Sequence, residues 1–99
     1  MNILEKVSEF TNDNFRTLAY MYDNKNEQNL VKTTQQEVSD ELGLSRVTVN
    51  KIFKQLKENN YITQDTTKVG RYYLTAEGIA VVETFRKINK SNNERGNEK

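Results

Sequence analysis

Apolar residues recur along this chain at three- and four-residue spacing, and one stretch near residue 70 alternates instead. Ile3, Leu4, Val7 and Phe10 fall on one side of a helix. Thr11 or Asn12 would cap a second helix, with Phe15, Leu18, Ala19 and Tyr22 on one face. Residues 24–29 are polar and break the pattern. Thr34, followed by Glu37 at the third position, makes a capping box. Val38 and Leu42 then share a face, and Gly43 supplies a left-handed stop. Ser45 caps the next helix, whose Val49, Ile52, Phe53 and Leu56 form an i, i+3, i+4, i+7 stripe that Asn59 and Asn60 end. Residues 61–64 and 71–75 read as two strands of a hairpin. Thr75 caps a last helix carrying Ile79, Val82, Phe85 and Ile88, and residues 89–99 hold no apolar side chain.

The segment at 35–54 meets the demands of two short helices crossing through a tight turn. Ser39 is small where the second helix crosses, Gly43 makes the turn, Leu44 plugs the core, and Val49 and Ile52 point inward. The expected fold class is mainly α with a small β-hairpin (α+β), a winged helix-turn-helix. Its parts are one domain over 1–88, with the helix-turn-helix at 34–58, the wing at 61–75, the last helix at 76–88, and a disordered polar tail at 89–99.

Composition narrows the chemistry. The 99 residues make one domain at most. There is no Cys, His, Pro or Trp. Ser–His, Cys–His and His-ligated metal chemistry are therefore excluded, and no cofactor or metal is expected. No apolar run reaches the roughly 18 residues of a membrane span, so a cytoplasmic protein is expected. The net charge of +1 hides an asymmetry. Residues 1–44 hold 4 basic and 8 acidic side chains, whereas residues 45–99 hold 11 basic and 6 acidic. Residues 45–75 alone hold 6 basic and 2 acidic. Such a basic segment suits a polyanion.

The outward positions of the second helix suit DNA. Ser45 and the free amides beside it can hold a phosphate. Arg46 can take the two acceptors of guanine and Asn50 can pair with adenine, while Val47 or the Thr48 methyl meets a thymine methyl. Lys51 and Lys54 would neutralise phosphates, and Lys68 and Arg71 at the hairpin tip would reach backbone or minor groove. The expected DNA-binding set is Thr34, Ser45, Arg46, Thr48, Asn50, Lys51, Lys54, Lys68 and Arg71. Tyr61 and Tyr72 are expected to pack inside, leaving Tyr73 for an interface. The long stripe on the last helix predicts a homodimer.

The element order, with the Leu74-Thr75-Ala76-Glu77-Gly78 ending, is similar to winged-helix regulators of the MarR and PadR kinds. That resemblance implies dimeric repressors on palindromic operators. A narrower likeness lies in Tyr61-Ile62, Thr67-Lys68-Val69-Gly70-Arg71, Tyr73-Leu74-Thr75, Gly78-Ile79, Val82-Glu83 and Phe85-Arg86-Lys87. These resemble TubR, the DNA-binding adaptor of tubulin-like plasmid and phage partition systems, over residues 33–87. This likeness implies a homodimer on repeated centromere-like double-stranded DNA sites, linked to a TubZ-like GTPase filament and repressing its own operon. It also implies that the second helix lies at a dimer interface, with Val47 and Phe53 partly interfacial. A winged helix that binds protein instead of DNA is the alternative of another class. An enzyme is the weakest reading.

Overall fold

The stripe at Val49, Ile52, Phe53 and Leu56 organises the molecule, because all four side chains are buried. The computed structural model describes residues 13–97, and of residues 89–97 the backbone course only. The described elements are α1 (Asp13–Asn24), β1 (Leu30–Lys32), α2 (Gln35–Leu42), α3 (Arg46–Glu58), β2 (Ile62–Gln64), β3 (Arg71–Leu74) and α4 (Ala76–Asn97). The helix expected over the first ten residues, and its neighbours Thr11 and Asn12, lie outside the described residues.

The core brings together Leu18 and Met21 of α1, Val38 of α2, the α3 stripe, Val82 of α4 and the inner face of the sheet. Burying such side chains stabilises the fold by about 1.5–3 kcal/mol each relative to exposure. Phe53 meets Tyr72 edge-on, ring centroids 5.0 Å apart at 86°. Phe53 is thus packed wholly inside its own chain, which overturns its expected place at a dimer interface. Val47 is 80% exposed.

The expected hairpin is two strands of a three-stranded antiparallel sheet, ordered β1-β3-β2. In register, Leu30, Val31 and Lys32 face Tyr73, Tyr72 and Arg71, and Ile62 faces Leu74. Val31, Ile62, Tyr72 and Leu74 are buried, while Tyr73 lies on the outer face. The pattern reading missed β1. Three residues are too few to show a period, and β3 supplies the pairing that makes them a strand.

Local chemistry sets the ends of the helices. Gly43 caps α2 in the left-handed region (φ 67°), its N–H donating to the Ser39 carbonyl. The Ser39 hydroxyl donates to the Leu44 carbonyl, so Ser39 holds the turn as well as being small. Asn59 caps α3, and Asn60 takes φ 61°. Thr75 starts α4, accepting from the Gly78 N–H at 3.0 Å and donating to the Asn60 carbonyl at 2.7 Å. A Cβ on Gly78 would stand 2.2 Å from the Tyr61 carbonyl oxygen, so this position has room only for hydrogen.

The last helix is longer than its stripe. The apolar pattern stops at Ile88, yet the backbone stays helical to Asn97. Of the segment expected to be disordered, residues 98–99 lie outside the described residues. A helix already nucleated extends at little cost per residue, and residues 76–97 contain no Pro to stop it. Among the described residues, no helix is long and apolar enough to cross a membrane.

Candidate nucleic-acid interface

Ser45 lies just before α3 with extended backbone (φ −71°, ψ 156°). Its hydroxyl oxygen accepts from the Thr48 N–H at 3.1 Å and donates to the Thr48 hydroxyl at 2.9 Å. The two hydroxyls are engaged with each other, and Thr48 is half-buried. The first-turn amides of α3 have no acceptor in the helix itself. Beyond them Arg46, Val47, Asn50, Lys51 and Lys54 form one exposed face.

The N-terminus of α2 adjoins this face. Thr34 caps α2, accepting from the Glu37 N–H at 3.1 Å and donating to the Glu37 carboxylate at 3.3 Å. The Glu37 side chain thus meets the Thr34 hydroxyl, a variant of the expected capping box. Arg46 Nη1 donates to Gln36 Oε1 at 3.0 Å, and Asn50 Nδ2 donates to Gln35 Oε1 at 3.3 Å. Two neutral glutamines therefore hold the two side chains expected to read bases. Gln35 and Gln36 escaped the sequence reading because their neighbours across the turn depend on how the helices cross.

The wing joins the same edge through Thr33, whose N–H donates to the Gly70 carbonyl at 3.0 Å. Asp65 shapes the turn, its carboxylate accepting from the Thr67 hydroxyl at 2.6 Å and the Thr67 N–H at 3.0 Å. The Thr67 hydroxyl, then its N–H, hold the Asp65 carboxyl below the usual carboxylate value, with Lys68 and Arg71 adding to the pull. Lys68 is exposed and Arg71 half-buried, with Val69 thrust out between Lys68 and Gly70, 96% exposed. Lys32 faces Arg71 across the sheet. It was absent from the expected set because its strand was.

Arg46 and Asn50 are thus joined to the start of α2, the wing reaches the same start through Thr33 and Gly70, and Lys51 and Lys54 continue the exposed face of α3. The ion pairs among the described residues are Arg16–Asp13 and Arg86–Asp23, both away from that edge. Among the described residues Arg46, Lys51, Lys54, Lys68, Arg71 and Lys32 form no ion pair, although the Asp65 carboxylate lies near enough to Lys68 and Arg71 to feel both. The edge is positive, and although Thr34 and Ser45 cap the Glu37 and Thr48 amides, the amides just ahead of these have no acceptor within their helices, an arrangement that can hold phosphate and present side chains to a groove.

A family model, the Crp-like helix-turn-helix domain, matches residues 15–75. The chain belongs to this family. The Crp-like domain spans every element of the edge just described. Among solved structures, the chain is similar to a point mutant of S. aureus MepR bound to an oligodeoxyribonucleotide. That match has 25% identity and a TM-score of 0.73, covering 97% of this chain and 69% of that one. An S. aureus MepR–DNA complex matches at 25% identity with a TM-score of 0.68, over 92% of this chain and 66% of that one. The transcriptional regulator SlyA shares the fold at 21% identity and a TM-score of 0.61, over 96% and 66%. No curated protein matches the sequence.

Proposed function

We propose that this chain is a sequence-specific double-stranded DNA-binding protein of the cytoplasm, acting without enzymatic activity as a homodimeric transcription repressor on a palindromic operator. The observation that carries this reading is the unpaired basic edge built around the starts of α2 and α3. The α3 face would enter the major groove, with Arg46 and Asn50 exchanging their glutamine partners for base edges. Ser45 and Thr34 would place helix-terminal amides against phosphates, and Thr48 would act by fixing the Ser45 cap. Lys51, Lys54, Lys68 and Arg71 would neutralise phosphates. The likeness to MepR structures bound to DNA supports a DNA-binding role for this chain. Dimerisation would cover the outer part of the α4 stripe. Ile88 is half exposed there, and Ala80, Val81, Thr84 and Phe85 line a shallow apolar hollow of about 260 Å³.

The partition reading is second. It rests on the TubR-like run between residues 61 and 87 and on exposed Val47, which two paired α3 helices would also cover. In it, dimers on repeated sites would link DNA to a tubulin-like GTPase filament. Footprinting on the DNA beside the gene separates the two. One protected palindrome supports repression, and a protected array of repeats supports partition. On the protected site, Arg46→Ala should cost roughly 1–3 kcal/mol and relax base preference. Equal weakening on unrelated duplexes would make Arg46 a phosphate contact instead. No retardation of any duplex at about 50 mM salt would remove DNA binding altogether and favour a protein-interaction module.

A further inference from the structure

Lys32 of β1 and Arg71 of β3 stand directly opposite each other in antiparallel register. The flanking bond shows what kind of pair they are. The Thr33 N–H donates to the Gly70 carbonyl, one position outside the pair on both strands. Lys32 and Arg71 therefore occupy a non-hydrogen-bonded site of the ladder, where opposed side chains come closest. Their neighbours Val31 and Tyr72 are buried, so both cations point to the outer face.

Like charges opposed in this way repel and destabilise a sheet. Among the described residues, neither has an ion pair to relieve the repulsion. Asp65, whose carboxylate feels Arg71, is tied to the Thr67 hydroxyl and N–H. The free protein thus keeps two cations abreast at a cost to its own stability. An anion placed between them would turn that cost into affinity. The pair is also connected to the rest of the edge. Thr33 and Thr34 lead directly into α2, and Gly70 leads to Lys68.

We propose that Lys32 and Arg71 together seat one backbone phosphate of duplex DNA, beside the groove that α3 enters. The Arg71 guanidinium offers a planar fork to two phosphate oxygens, and the Lys32 ammonium adds a point charge. This seat rests on the DNA-binding reading. It makes β1, a strand outside the helix-turn-helix and the wing hairpin, part of the contact surface.

The test compares full-length wild type with Lys32→Gln, Lys32→Arg and Arg71→Gln in two measurements. The first is thermal unfolding without DNA at low salt. Neutralising either cation should raise the midpoint by roughly 1–5 °C, and the gain should vanish near 1 M salt. The second is the dependence of duplex affinity on salt, using the site protected in footprinting. Lys32→Gln should lower the magnitude of the log–log slope by part of the roughly 0.9 that one phosphate contact contributes, because Arg71 still faces that phosphate, and Lys32→Arg should keep it. An unchanged slope for Lys32→Gln, with wild type binding normally, overturns the seat and leaves the wider DNA reading intact. A drop in stability on neutralising Lys32 also overturns it, because the pair would then be structural. Wild type that binds no duplex at all overturns both.

Discussion

Val47 is the side chain whose exposure asks most clearly for a partner. It is 80% exposed in the first turn of α3, at the head of a face otherwise made of hydrogen-bonding and basic groups. The sequence left two methyl donors open there, Val47 and Thr48. The structure separates them, because the Thr48 hydroxyl is bound to Ser45 and its side chain is half-buried. In the proposed DNA-binding reading, Val47 would therefore be the side chain that meets the 5-methyl group of a thymine. Replacing that thymine by deoxyuracil in the protected duplex should weaken wild type about fourfold, the worth of one buried methyl group. Val47→Ala should bind more weakly and lose most of this discrimination. Equal affinity of wild type for all thymine and uracil duplexes would instead leave Val47 to a contact between copies of the chain.

At the scale of elements, legibility followed locality. The caps at Thr34, Ser45 and Thr75, the stop at Gly43 and the α3 stripe rest on contacts within a few residues, and all appear in place. What spacing alone left unexplained was the Leu74-Thr75-x-x-Gly78 ending of the wing. Thr75 caps α4 and also ties the carbonyl of Asn60, while Gly78 lets the first turn of α4 lie on the Tyr61 backbone. Gly78→Ala is therefore expected to destabilise the protein by about 1–3 kcal/mol through overpacking, although Ala is the better helix former. Urea unfolding measures this, and a stabilised variant would show that the close approach is not maintained in solution. β1 was illegible for the opposite reason. Its pairing depends on a strand 39 positions further along, and Lys32 entered the basic edge only through that pairing.

At the scale of the molecule, charge is sorted by face. Among the described residues the cations of the α2–α3–wing edge form no ion pair, whereas acidic groups collect on the flank of α2, where Glu37, Asp40 and Glu41 line a hollow with Tyr20. Such polarity favours one orientation on DNA and restrains general attraction. A separate clamp joins α1 to α4. Arg86 binds Asp23 through two bonds of 2.7 and 2.8 Å, and the Tyr22 hydroxyl donates to Glu83 at 2.8 Å. The bond from Arg86 holds the Asp23 carboxyl below its ordinary value. A carboxyl depressed in the folded state stabilises above its unfolded pKa of about 3.9, and that contribution is lost as pH falls through the folded value. Both groups are about half exposed, so the pair is worth at most about 1 kcal/mol. Asp23→Asn should be less stable than wild type by that amount at pH 7, and the two should converge below about pH 4. A gap persisting in acid would mean that the Asp23 side chain acts by packing.

The amino-acid pattern by itself determined the helix-turn-helix, the wing, the core stripe and the candidate readers on α3, because helix periodicity, caps and turns are written in neighbouring residues. The absence of His and Cys likewise excluded whole classes of chemistry without any coordinates. Tertiary structure decided which of those readers share an edge, since that depends on how α2 crosses α3. It also withdrew Phe53 to the interior and left Val47 more exposed than Thr48. It brought Lys32 beside Arg71, because strand pairing joins residues whose separation along the chain carries no local signal.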